Sequence, residues 1–206
     1  MSVVFTVALT LLVSYLLGCF NGSVMTSHFI IRDDVRQHGS GNAGLTNFYR
    51  TYGARYALCV IICDMGKTVL ACLIGGYLMH WVVGDWTLGL LIAGIGCELG
   101  HMFPVFFGFK GGKGVSSTCG VMLMTFWWQA LICYVITIAL IAITKFVSLG
   151  SLALVVLFGI LVTATNWGNW LVIAWVWVIA GLCIYRHHAN IGRLIHGTER
   201  KIGQKA

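Results

Sequence analysis

Charged residues are scarce in this chain: Asp, Glu, Lys and Arg make up 9% of its 206 residues, while 59% are hydrophobic. A soluble domain carries about 25% charged residues, so the composition excludes one. Proline occurs once, at Pro104, and breaks between apolar runs must therefore come from the 26 glycines and from polar residues. There are eight cysteines but no CxxC pair, and Cys19, Cys59, Cys63, Cys72, Cys97, Cys133 and Cys183 lie in apolar stretches. That argues against a disulfide framework and a zinc site. Buried, reduced thiols are expected, with no metal and no cofactor. The apolar runs are continuous rather than alternating, which disfavours a membrane β-barrel.

What is present is a series of apolar runs separated by short basic loops. No Lys or Arg precedes Arg32. The first run, residues 3–20, thus lacks the positive leading region of a cleaved signal peptide and reads as an uncleaved span with its N-terminus outside. A second span covers residues 56–79, an uncharged-to-acidic connector from His80 to Asp85 faces outward, and a third span starts at Trp86. The stretch from Val115 to Tyr185 holds one charge, Lys145. It is too long for one or two spans of about 20 residues, and turns near Trp128, Lys145 and Asn166 divide it into four. The predicted fold is an all-α polytopic membrane protein with seven transmembrane helices (five as the fallback), a single domain over residues 1–206, its N-terminus outside and its C-terminus inside.

This topology puts Arg32, Arg36, Arg50, Arg55, Lys110, Lys113, Lys145, Arg186, Arg193, Arg200, Lys201 and Lys205 on the inner face, leaving only Lys67 of the 13 Lys and Arg residues within a span. A positive-inside bias therefore explains the net charge of +7 better than nucleic-acid binding does. Asp64 and Lys67 stand one helical turn apart in the second span, where unpaired charge is expensive, so a structural ion pair is expected. Gly96 and Gly100 have the spacing of a close helix contact.

Three inner polar loops carry the candidate chemistry. Gly39 to Arg50 reads GSGNAGLTNFYR. Gly39 and Gly41 let backbone N–H groups turn toward an anion, Ser40, Asn42, Thr46 and Asn47 offer neutral hydrogen bonds, and Arg50 adds a fixed fork of donors. Gly100 to Val115 reads GHMFPVFFGFKGGKGV and runs into an apolar helix. Gly111, Gly112 and Gly114 beside Lys113 at a helix N-terminus make a ready phosphate site. The spacing is not that of a Walker A loop, and Gly114 replaces the magnesium-binding hydroxyl, so ATP hydrolysis is disfavoured. In the third loop, HHANIGRLIHGTE, His187 and Asn190 lie three apart on a helix continuing past the membrane and share a face. Glu199, the tail's one acid, reads as a structural partner of its basic neighbours.

Taken in this order, GSGNAGLTNFYR, GHMFPVFFGFKGGKGV and HHANIGRLIHGTE resemble the bacterial acyl-phosphate:glycerol-3-phosphate acyltransferase family, and Lys145 to Ser151 resembles a further polar stretch of it. The resemblance implies transfer of a fatty acyl group from acyl phosphate to the 1-hydroxyl of glycerol 3-phosphate, giving lysophosphatidic acid and phosphate at the cytoplasmic face of a bacterial inner membrane. It also implies that Ser40, Arg50, Lys113, His187 and Asn190 serve catalysis, that Ser151 and the glycines of the second loop bind substrate, and that the substrates and membrane lipid are the only partners. Two other classes remain open from the residues alone. One is a membrane carrier for anionic phosphorylated solutes; the other is an intramembrane serine hydrolase using Ser40, weakened by a GSG rather than a GxSxG setting.

Overall fold

The computed structural model describes residues 2–204, so Lys205 lies outside the described residues. Among these there is no strand. The helices are α1 (Val3–Gly18), α2 (Gly22–Thr26), α3 (Leu45–Tyr52), α4 (Ala57–Val83), α5 (Trp86–Met102), α6 (Val115–Thr125), α7 (Trp127–Thr144), α8 (Val147–Thr165), α9 (Trp170–Arg186) and α10 (His188–Ile195). A π-helical turn, Ser27–Ile31, follows α2, and 3-10 turns lie at Val35–Gln37 and Val105–Phe107. The chain forms two compact units, one running to Thr125 and the other covering Phe126–Gln204.

Among the described residues, five stretches are long and apolar enough to cross a membrane: Val3–Ile31, Ala57–Val83, Trp86–Phe107, Trp127–Thr144 and Val147–Thr165. The region expected to hold four helices does divide into α6, α7, α8 and α9, with breaks at Phe126, after Thr144 and after Thr165. At 11 residues, α6 rises roughly 16 Å and falls well short of a hydrocarbon core about 30 Å thick. The third loop departs from the continuous helix expected of it. The axis bends by 62° between α9 and α10, and His187 sits at the bend as the C-cap of one helix and the N-cap of the next.

In the first unit, small residues set the helix spacing, as they must where no water drives association. A Cβ on Gly96 would lie 2.8 Å from the Leu11 carbonyl oxygen, and one on Gly100 would run into that of Tyr15. Thr6, Thr10, Ser14 and Gly18 form the buried stripe of α1. Gly75 and Gly89 bring α4 and α5 equally close. In α4 the apolar run continues past residue 79 to Val83, and Asp85 then caps α5 by accepting from the Leu88 N–H at 2.9 Å. In the second unit α8 packs on α7 through Gly150, against Ile141, and on α9 through Gly159, which lies under the Trp177 ring. The Trp177 indole N–H donates to Thr163 at 3.0 Å.

Candidate functional site

Two helix breaks in the first unit carry the polar groups. α1 ends at Gly18 and α2 begins at Gly22, so the hydrogen bond a continuous helix would make between the Gly22 N–H and the Gly18 carbonyl is open. The ion pair on α4 closes each half. Asp64 Oδ1 accepts from the Gly22 N–H at 2.9 Å, and Lys67 Nζ donates to the Gly18 and Phe20 carbonyls at 3.0 and 2.8 Å. Lys67 and Asp64 are 3.0 Å apart and both buried. Charge at this depth is tolerable because the pair is neutral overall and its hydrogen-bonding capacity goes to orphaned backbone.

The glycine loop sits on the end of α5. Gly111, Gly112 and Gly114 are buried and Lys113 is half-buried. A Cβ on Gly111 would collide with the His101 carbonyl, one on Gly112 with His101 Nε2, and one on Gly114 with Glu98 Oε2. Gly114 also has φ of +88°, a left-handed conformation that favours glycine on its own. The Gly112 N–H donates to the His101 carbonyl at 3.0 Å. Glu98, fully buried, accepts from the Thr118 hydroxyl on the first turn of α6. Thus the loop, Lys113 and the N-terminal end of α6 are held on a frame of α5 side chains. The sequence reading gives neither His101 nor Glu98 a role. The signal that could have found them is two i, i+3 pairs of titratable residues, Asp64 with Lys67 and Glu98 with His101, within neighbouring apolar helices.

The first loop is stapled by one of its own predicted ligands. Asn47 is buried, accepts from the Ser40 N–H at 2.9 Å, and donates to the Val35 and His38 carbonyls at 3.1 and 3.0 Å. Its amide therefore fixes the loop from inside and presents Ser40, which is exposed. Gly39 and Gly41 have φ of +59° and +68°, and Gly44 is the N-cap of α3, with Asn42 beside it. Thr46 and Arg50 lie four apart on α3, both half-buried. Arg36 ties this loop to the second one. Its guanidinium grips Asp34, donates to the Phe107 carbonyl at 3.2 Å and lies over the Phe107 ring at 5.5 Å. The His38 ring on Asp33, with the Asp34 N–H and the Tyr52 hydroxyl, holds the Asp33 carboxyl below the usual carboxylate range.

The second unit builds a separate cluster around Glu199. Its Oε1 accepts from Ser148 at 2.9 Å and Asn190 at 2.7 Å, and its Oε2 from Arg193 at 2.7 Å. Burial alone would push this carboxyl up, but the bonds from Arg193, Asn190 and Ser148 together outweigh burial and hold it below its ordinary value. His187 and Asn190 are both buried, and His187 Nδ1 lies 2.8 Å from the Cys183 carbonyl. Nδ1 is therefore the donor there, which leaves Nε2 as the acceptor of a neutral ring. Ser151 donates to the Val147 carbonyl of its own helix at 3.0 Å.

Long apolar helices whose ends carry glycine turns, an amide-stapled loop and cationic side chains define an all-helical integral membrane protein. The family model for glycerol-3-phosphate acyltransferase matches residues 8–197. Similar proteins include the glycerol-3-phosphate acyltransferase of Thermoanaerobacter pseudethanolicus, 40% identical over 96% of both chains. That of Clostridioides difficile is 39% identical over 98% of both. Among solved structures, the glycerol 3-phosphate form of PlsY (YgiH), an integral membrane glycerol 3-phosphate acyltransferase, superposes with a TM-score of 0.84 at 32% identity over 96% of both chains. Its lysophosphatidic acid form gives 0.83 at 30% identity, covering 96% of this chain and 95% of the other. The chain belongs to the glycerol-3-phosphate acyltransferase family.

Proposed function

We propose that the acyl donor is an acyl phosphate and that the reaction takes place at the cytoplasmic face of a bacterial inner membrane, as the first step of phospholipid synthesis. The glycerol 3-phosphate 1-hydroxyl oxygen attacks the acyl carbonyl carbon, the C–O bond to phosphate breaks, and inorganic phosphate leaves with the electron pair. The product is 1-acyl-glycerol 3-phosphate. A mixed anhydride carries its own good leaving group, so no covalent enzyme intermediate is required, and the hydroxyl proton passes to a substrate phosphate oxygen. What the protein must supply is positioning and charge stabilisation.

The observation that carries this reading is the glycine loop seated at the N-terminal end of α6 beside Lys113. The N-terminal end of α6 and a cation favour a phosphate dianion there, while the Gly112 N–H is spent on the His101 carbonyl and fixes the loop. Gly111, Gly112 and Gly114 take the glycerol phosphate with Lys113, while Gly39, Ser40, Gly41, Asn42, Thr46 and Arg50 serve the acyl phosphate. His187, Asn190 and Ser151 of the second unit are assigned to the reaction by their place in its polar cluster and helix, and Glu199 is structural. Seven apolar segments, the short α6 counted as one with its neighbouring loop, run with the N-terminus outside and the C-terminus inside and put the basic loops on the cytoplasmic side.

The test is incubation of the purified protein with palmitoyl phosphate and labelled glycerol 3-phosphate, reading labelled lysophosphatidic acid. Folded protein that forms none overturns the proposal, and activity with acyl-CoA alone reassigns the donor. Lys113→Ala should raise the KM for glycerol 3-phosphate or slow turnover, and wild-type kinetics would remove Lys113 from the site.

A further inference from the structure

His101 is 2% exposed and is gripped on both edges. Its Nδ1 lies 2.9 Å from Lys67 Nζ and 3.4 Å from Asp64 Oδ1. An ammonium only donates, and the Gly18 and Phe20 carbonyls take two of its three hydrogens, so the third is divided between Asp64 Oδ1 and His101 Nδ1. At 2.9 Å from a lysine, Nδ1 must be the acceptor. The proton of the neutral ring is then on Nε2, the atom against which Gly112 packs so closely that a Cβ would collide with it. The carbonyl of the same residue accepts the Gly112 N–H at 3.0 Å, so ring and backbone of His101 hold one glycine from two sides.

A run of glycines has little conformational preference of its own, yet an array of N–H donors serves a dianion only when its geometry is set before binding. We propose that His101 is the positioning residue of the second loop. It acts through Gly112 without touching substrate, and the Asp64 and Lys67 pair sets its tautomer and ring plane, so that the loop is shaped for the phosphate monoester of a small polyol. This rests on the assignment of glycerol 3-phosphate to that loop. Glu98, three residues earlier on the same helix, plays the parallel part behind Gly114. The chain of contact therefore runs from the α1 break through α4 and α5 to the loop.

The experiment is steady-state kinetics of the full-length protein, with palmitoyl phosphate and glycerol 3-phosphate varied in turn, for wild type, His101→Ala, His101→Gln and the double variant Asp64→Asn/Lys67→Met. A displacement of the loop by a fraction of an ångström should raise the KM for glycerol 3-phosphate ~10-fold or more in His101→Ala, with the KM for palmitoyl phosphate within about twofold of wild type. His101→Gln, whose amide nitrogen can reach the Nε2 position, should recover most of the loss. The double variant, which removes the pair together and preserves its shape, should raise the same KM and add nothing to His101→Ala when combined with it. An unchanged KM for glycerol 3-phosphate, a defect confined to kcat, or additive effects would overturn the proposal. Should His101→Ala fail to fold, the double variant decides: a raised KM for glycerol 3-phosphate is expected, and an unchanged one overturns the proposal. Wild-type protein that neither turns over nor calorimetrically binds glycerol 3-phosphate overturns the loop assignment together with this inference. Normal wild-type turnover with unmoved variants overturns the inference alone.

Discussion

The two buried polar clusters solve different problems. Around Asp64 and Lys67, both members of an ion pair are buried on one span, and their spare hydrogen bonds repair the backbone of another helix. Around Glu199, one buried carboxylate gathers three donors, and its cationic partner Arg193 stays partly in water. At membrane depth, charge has to be neutralised within the protein. At the C-terminal tail, solvent can share the task, so a single acid suffices to pin α10 and the tail to α8. The first arrangement should therefore be brittle to loss of one partner, and the second should be tunable.

Four substitutions probe that contrast, in order of expected effect. Asp64→Ala leaves Lys67 buried without its counter-charge and opens the Gly22 N–H. The cost should be about 3–5 kcal/mol, read as loss of folded protein in detergent thermal unfolding. Gly112→Ala drives a methyl into the His101 ring; overpacking of this kind costs about 1–3 kcal/mol, and here it should appear mostly as a fall in kcat/KM for glycerol 3-phosphate rather than in melting temperature. Glu199→Gln keeps the shape and loses the charge, so the effect should be smaller, about 1–2 kcal/mol after allowing for the solvent around Arg193. Its pH dependence supplies the sign. The folded carboxyl titrates below its unfolded value, so the stabilisation is present above the ordinary glutamate range near pKa ~4.3 and is lost as pH falls through the lower folded value. Wild-type stability should drop across that acid window, and the Gln variant should drop less. Arg36→Lys removes the two-pronged grip on Asp34 while keeping the charge. A half-exposed pair of this kind is worth under about 1 kcal/mol, and a small rise in KM should be the main readout.

The helices were legible in the sequence because hydropathy dominates insertion: the breaks beside Lys145 and Asn166 fall where a charge or an asparagine interrupts an apolar run, and the one at Phe126 falls beside the Trp127–Trp128 pair. Less legible was where a helix overruns its expected end, as α4 does through Trp81 to Val83, since those residues are as apolar as the span itself. The glycine loop was visible as a phosphate-type turn. The steric demand on its glycines was not, because it comes from α5 folding back beneath the loop, and no local pattern encodes that approach. The same limit hid His101, which in one sequence looks like any interfacial histidine. Asn47 shows the converse. Its residue type suits a ligand, but only tertiary geometry reveals that its amide is spent on three backbone groups. The bend at His187 is not legible because no glycine or proline stands at it, and the one glycine of the stretch, Gly192, lies inside α10.

The capping of α1 by Lys67 also says something about how such a chain comes together. The Gly18 carbonyl accepts from a side chain 49 positions later, so the end of α1 is completed only when α4 is packed beside it. Until then α1 carries open carbonyls and α4 carries a charged pair, and each is the remedy for the other. The two helices therefore complete each other, and the frame beneath the glycine loop depends on that pairing.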